Sequence, residues 1–204
     1  QGVNHLINPA RLIHSTKLAF GDDFEMSYGP ILPVPESQVK VAADEETIVI
    51  DSRELQIIYT PGHAPHHIAI FDRKTGGLFC GEALGIPRPG AEFFVLPAAP
   101  PPSFDLEDYL KTMERLRQLR PRMLFYSHDG VGREPDKLIS SAVENSRMFG
   151  DIILKAMRKG ETGEAISRRI REQLSILLGQ QADALDIGMA VSGYTLYFKK
   201  KGLA

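Results

Sequence analysis

The chain has 204 residues, 43% of them hydrophobic and 25% charged, with a formal net charge of −2 and acids and bases interspersed. That length holds one large or two small domains with a real core, and the mixed charge excludes the basic face of a nucleic-acid binder. No apolar run spans a bilayer and no signal-peptide pattern opens the chain, and the single cysteine, Cys80, excludes an intrachain disulfide and suits a reducing, cytoplasmic setting.

The chain starts at Gln1 and runs at once into HLINPARLIHSTKLAFG, which reads as the middle of a domain, so a trimmed N-terminus is expected. Asn8-Pro9 predicts a helix start, with Leu12, Ile13, Leu18 and Ala19 recurring and an end near Gly21. YGPILPVPES is a proline-punctuated connector. TIVIDSRELQIIYT holds two β-branched runs about a turn and predicts a β-hairpin. HIAIFDRKTGGLFCGEAL repeats the pattern, so four strands bracket the histidine-rich YTPGHAPHH. Next comes GIPRPGAEFFVLPAAPPPSFD, a proline- and glycine-rich loop without regular structure but with an apolar centre. That centre marks a loop that packs or lines a pocket, with Phe93 and Phe94 as candidate substrate-binding residues. Ser103 or Asp105 caps a helix through LEDYLKTMERLRQL, whose apolar face carries Leu106, Tyr109, Leu110, Met113 and Leu116. RMLFYSHDG reads as a buried strand, and helices are expected over roughly 135–158, 162–178 and 182–199. A strand-rich front and a helical rear point to α/β layers.

Three polar residues share one placement: His63, Glu82 and His128 each follow directly on a strand-like run. Strand ends present side chains from a rigid scaffold. A convergent set of imidazoles and a carboxylate is what a transition-metal hydrolase needs. Taken singly, each has an ordinary reading as a solvated or hydrogen-bonded polar group. His66 and His67 begin an alternating strand, so at most one of them points with His63. His67 fits a supporting role, hydrogen-bonded behind a ligand, and a purely structural role equally well. His5 and His14 belong to no constellation, and Cys80 reads as a small buried residue. Ser127, His128 and Asp129 are consecutive on an extended segment, point apart, and form no relay.

Together, TPGHAPHHIAIFD, GGLFCGEAL and LFYSHDG resemble the second half of the metallo-β-lactamase superfamily. More narrowly they are similar to its glyoxalase II-like branch, in which T-P-G-H-T/S-x-G-H is followed by L-F-x-G-D-x-L and a later strand ending in x-H. HLINPARL and YGPILPVPESQV also look like that branch. The resemblance implies an αββα sandwich, here mainly its second half over 1–134, with a helical extension over 135–204. It implies that His63 and His128 belong to two different metal sites and that Glu82 stands where an aspartate usually bridges them. The family's H-x-H-x-D-H motif is not in this sequence, and is expected upstream of residue 1. Glu in place of Asp extends the carboxylate by about 1.5 Å, against a tolerance of about 0.2 Å in metal–ligand distances.

The function this implies is metal-dependent hydrolysis of a thioester, lactone or related ester by the complete protein. One or two divalent ions are expected, zinc first, with iron or manganese as alternatives. A small-molecule substrate, and neither nucleic acid nor membrane, is the expected partner. A non-haem iron redox protein of the same superfamily and a non-catalytic binding module are the competing readings. The chain by itself is expected to be an incomplete, weakly active fragment. Its apolar sheet face is expected to need cover, from a missing N-terminal segment or from another copy.

Overall fold

The structure, a computed structural model, describes residues 2–20, 26, 29–88, 93–128 and 130–204, with backbone only for 18–20. It divides into two units, Gln1–Ala43 and Asp44–Ala204. In the first unit, α1 (Gly2–Ile7) precedes α2 (Ala10–Phe20). Pro9 has no N–H to continue a helix, but its carbonyl accepts the Ile13 N–H at 2.8 Å, so α2 begins beside it as the sequence predicts. The expected helix end at Gly21 lies outside the described residues. The connector is tied back by the Val34 N–H, which donates to the Leu6 carbonyl at 2.8 Å.

The strands of the second unit are β1 (Thr47–Ile50), β2 (Arg53–Tyr59), β3 (Ile68–Asp72), β4 (Gly77–Gly81), β5 (Ile86–Pro87), β6 (Val95–Leu96), β7 (Met123–Tyr126) and β8 (Val131–Gly132). Six of them form one sheet in the order β1-β2-β3-β4-β7-β8. β1 to β4 form an antiparallel meander, so both predicted hairpins are present. The second is closed by its own turn chemistry. The Asp72 carboxylate accepts the Lys74 N–H at 3.0 Å and the Thr75 hydroxyl at 2.7 Å, and it pairs with the Arg53 guanidinium. β7 then lies parallel to β4, which requires a crossover, and α3 (Leu106–Gln118) supplies it. Of the two candidate caps, Asp105 takes the role, accepting the Asp108 N–H at 3.1 Å.

Register sorts the side chains onto two faces. Ile58, Ala69, Leu78 and Leu124 share one face, and all are buried in a common core with Tyr109, Met113 and Leu116 of α3. Ile57, Ile70, Phe79, Phe125 and Val131 align across the other. On that face Phe79 is 45% exposed, Ile68 42% and Val131 47%. The sheet is therefore apolar on both sides, with only one side fully packed.

Helices α4 (Pro135–Arg158) and α5 (Gly163–Leu178) run almost as predicted. Two expectations need correction. The 85–104 connector is not structureless: β5 and β6 pair antiparallel, and Phe94, Val95 and Leu96 are buried. The helix expected over 182–199 is divided into a 3-10 stretch, Gly179–Ala184, and α6 (Gly188–Lys200). Leu185 turns extended there, both Leu185 and Ile187 enter the core, and the Asp186 carboxylate restarts the helix by accepting the Gly188 N–H at 3.0 Å.

Candidate metal centre

His63 lies in the turn between β2 and β3, directly after a position whose backbone favours glycine. Gly62 has φ +121°, and a Cβ there would lie 2.3 Å from the Tyr109 Cα. The loop therefore presses directly on α3, fixed by the Asp105 N–H to the Gly62 carbonyl at 2.8 Å and by the Thr112 hydroxyl to the Pro61 carbonyl at 2.7 Å. The His63 Nδ1 lies 2.9 Å from the Ala98 carbonyl, which can only accept, so Nδ1 carries the proton. In the neutral ring this leaves the Nε2 lone pair free, and Nε2 is 3.1 Å from Glu82 Oε2.

Glu82 follows β4. Its second oxygen, Oε1, lies 3.5 Å from His128 Nε2, at the end of β7, the strand parallel to β4. One carboxylate thus reaches both histidines, each through a different oxygen. Their electrostatics agree with this arrangement. Burial opposes charge on His63, but the hydrogen bond and charge of Glu82 outweigh it and hold the imidazole pKa above its usual value. The His63 hydrogen bond, acting against burial and helped by the histidine charges, holds Glu82 below the usual carboxylate range.

His67 does not open β3, which starts one residue later at Ile68; His66 and His67 close the preceding turn. The His67 ring meets His63 edge-on at 5.4 Å. Its Nε2 accepts the Glu82 N–H at 3.2 Å, so Nδ1 carries the proton toward the Thr60 hydroxyl at 2.6 Å. Burial, then repulsion from His63, brings its pKa down to about 4, so the ring is neutral. Gly81 permits this approach, since a Cβ there would lie 2.6 Å from His67 Nε2.

Tyr109 completes the framework, although the helical pattern marks it only as an apolar-face residue. Its buried hydroxyl donates to the Glu82 carbonyl at 3.1 Å and accepts the Ala98 N–H at 3.2 Å. One phenol therefore fixes the backbones of Glu82 and of the residue whose carbonyl orients His63. Nothing in the spacing could have shown this, because it depends on where α3 crosses the sheet. Cys80 is buried, and desolvation pushes its thiol up to about 12, which leaves it no nucleophilic role. Asp129 lies outside the described residues. Phe93 and Phe94 sit away from the histidines, on a cavity beside α4.

The donor set can be tested against a metal. Tetrahedral sites with bonds of about 2.0–2.2 Å separate neighbouring ligand atoms by about 3.3 Å. The 3.1 Å and 3.5 Å separations lie close to that edge length. Among the described residues, however, no group of three or more His, Cys, Asp or Glu is arranged to hold one ion. The two histidines address different oxygens of the carboxylate, His63 Oε2 and His128 Oε1.

Comparison with known proteins agrees with this architecture. The sequence profile of the family described as "Metallo-beta-lactamase superfamily" matches residues 3–128. The metallo-beta-lactamase fold-containing protein ST1585 of Sulfurisphaera tokodaii is 24% identical over 80% of this chain and 60% of its own length. Its crystal structure superposes with a TM-score of 0.60 at 25% identity, over 70% of this chain and 54% of that one. A metallo-beta-lactamase family protein of Thermus thermophilus, 20% identical, superposes with a TM-score of 0.59 over 99% of this chain and 64% of its own. A hydroxyacylglutathione hydrolase of a Synechococcus species is 30% identical over 42% of this chain and 30% of its own length. The chain thus spans less than two thirds of the relatives it matches. A match over more than half of the sequence, and the shared fold, identify the chain as a member of the metallo-beta-lactamase superfamily.

Proposed function

We propose that the complete protein is a metal-dependent hydrolase of a thioester, lactone or related ester, and that this chain carries half of its metal centre. The observation that carries the reading is the Glu82 carboxylate, which gives one oxygen to His63 and the other to His128. Family membership supports it, and the match to a hydroxyacylglutathione hydrolase favours the glyoxalase II-like branch. In this reading His63, Glu82 and His128 hold one or two divalent ions, with zinc first and iron or manganese as alternatives. Bound metal would supply an activated water and polarise the scissile carbonyl. The residues of this chain orient that centre. The Ala98 carbonyl fixes the His63 tautomer, and His67 and Tyr109 hold the Glu82 backbone. Further ligands, and a layer over the open sheet face, would come from another segment or another copy. The buried, unreactive Cys80 fits a reducing, cytoplasmic setting.

A non-catalytic binding module is the second reading, favoured by the absence of a three-donor cluster among the described residues. Metal analysis of the purified protein, with a panel of thioesters, lactones and phosphoesters, separates the readings. Zinc or manganese with ester turnover supports the hydrolase, iron with oxygen consumption a redox relative, and neither metal nor turnover the module.

A further inference from the structure

Between β6 and α3 runs the segment 97–105, PAAPPPSFD, which forms neither helix nor strand. Pro97, Pro100, Pro101 and Pro102 have no N–H to donate, so the segment cannot hold itself by a ladder and must be placed from outside. Two of its backbone groups reach the histidine loop. The Ala98 carbonyl accepts the His63 Nδ1–H, and the Asp105 N–H donates to the carbonyl of Gly62, the residue before His63. We propose that the last helix, α6, fixes this segment and thereby orients the His63 imidazole, with Gly193 as the positioning residue. The consequence for metal binding rests on the reading of His63 as a ligand given above.

The contact at Gly193 is the closest. This buried residue faces the Ala99 backbone, and a Cβ on it would lie 1.9 Å from the Ala99 carbonyl oxygen and 3.4 Å from the Pro100 carbonyl carbon. Backbone atoms cannot swing aside as a side chain can. Glycine is a poor helix former, and this approach accounts for its place in the middle of α6. The Ala98 carbonyl and the Ala99 nitrogen share one planar peptide, so a displacement of Ala99 passes directly to the oxygen that His63 uses.

The rest of α6 grips the same segment further along. The buried Phe104 ring lies with its centroid 4.7 Å from that of Tyr194 and 6.1 Å from that of Tyr197. At the helix end, Lys200 Nζ donates to the Pro102 carbonyl at 2.6 Å. Lys201, one residue on, lies 3.4 Å from both the Asp105 and the Glu107 carboxylates. The helix is itself anchored, since the Tyr194 hydroxyl donates to the Ser146 carbonyl of α4 at 2.9 Å. Ala98 and Ala99 are thus clamped between the Tyr109 phenol, which accepts the Ala98 N–H, and the backbone of α6. Metal–ligand distances tolerate only about 0.2 Å, so a carbonyl that lets the imidazole turn should cost affinity.

Proton–nitrogen NMR of the metal-free protein, labelled in its histidine rings and held at one pH, tests this. It reads the His63 Nδ1–H directly, with His63→Gln assigning the signal. His67 supplies the control, because its Nδ1–H goes to the hydroxyl of Thr60, which follows β2 and lies outside the segment. Gly193→Ala introduces the better helix former, so any loss comes from the contact and not from helix propensity. It should abolish or shift the His63 signal while the His67 signal persists, and should weaken cobalt(II) uptake about tenfold. A second variant, Lys200→Ala with Lys201→Glu, changes only exposed residues and sets a like charge beside Asp105 and Glu107. It should fold, as circular dichroism will check, and should speed exchange of the His63 Nδ1 proton with water several-fold, leaving that of His67 unchanged.

A folded Gly193→Ala protein with the wild-type His63 signal and cobalt affinity would overturn the proposal. So would loss of both histidine signals together, which is general loosening and not positioning. Where Gly193→Ala does not fold, the lysine variant decides, and unchanged exchange at His63 would overturn the proposal. A selective His63 effect in a protein that takes up no cobalt would retain the role of α6 and reject His63 as a metal ligand.

Discussion

Glu82 acts as one residue in two directions: its side chain faces two histidines while its backbone is held from behind. The Glu82 N–H ends on His67 and its carbonyl on Tyr109. His67 can do this only as a neutral ring, and that has a measurable consequence in the metal-free protein. With a folded pKa of about 4 against an ordinary 6.5, it stays neutral where the unfolded chain takes up a proton. The unfolded state binds more protons as pH falls from 6.5 toward 4, so this residue should cost up to about 3 kcal/mol of stability across that window. His63 works oppositely. Its raised pKa contributes stability that is present below 6.5 and lost as pH rises through the folded value. Because the two rings repel each other, the difference between wild type and His67→Gln reads His67 together with its coupling to His63. Urea denaturation between pH 7 and pH 4.5 should show a shallower acid decline in His67→Gln, and parallel curves would contradict the assignment. His63, Glu82 and His128 were legible in the sequence because each follows a strand. Thr60, Ala98 and Tyr109 were not, because a hydroxyl, a carbonyl and a core phenol acquire their partners only through tertiary placement.

At the level of elements, α3 joins the loops that carry His63 and Glu82 to the sheet. Tyr109→Phe removes a hydroxyl that serves a buried acceptor and a buried donor, and should destabilise the protein by about 2 kcal/mol. Gly62→Ala forces a methyl group against the α3 backbone at positive φ and should cost about 3 kcal/mol or more. Thermal and urea melts measure both, and a Gly62→Ala protein as stable as wild type would refute the close approach. The hairpins were legible from β-branched runs about turn residues, and α3 from its apolar period. The β5–β6 pair was not, since two-residue strands have no period, and the break before α6 depends on Leu185 and Ile187 finding the core.

For the whole molecule, the feature with most consequence is the sheet face bearing Ile68, Phe79 and Val131, all exposed. Phe79 stacks on Phe125 at 4.7 Å, which makes the patch continuous across β4 and β7. The alternation that made the strands legible also made this face legible, but not what covers it. Apolar patches of this kind self-associate. Sedimentation velocity should show this chain associating as concentration rises, and Phe79→Ser with Val131→Ser should reduce that; a monomer at all concentrations would contradict the prediction.

The central claim is that Glu82 joins His63 and His128 in holding metal. Cobalt(II) titration followed by visible spectroscopy, repeated by competition with zinc, tests it most directly, because it reads ligation without needing turnover. The account predicts saturable uptake by the protein, lost in Glu82→Ala and weakened in His63→Ala and in His128→Ala. Uptake unchanged by Glu82→Ala, or no uptake at all, would contradict it.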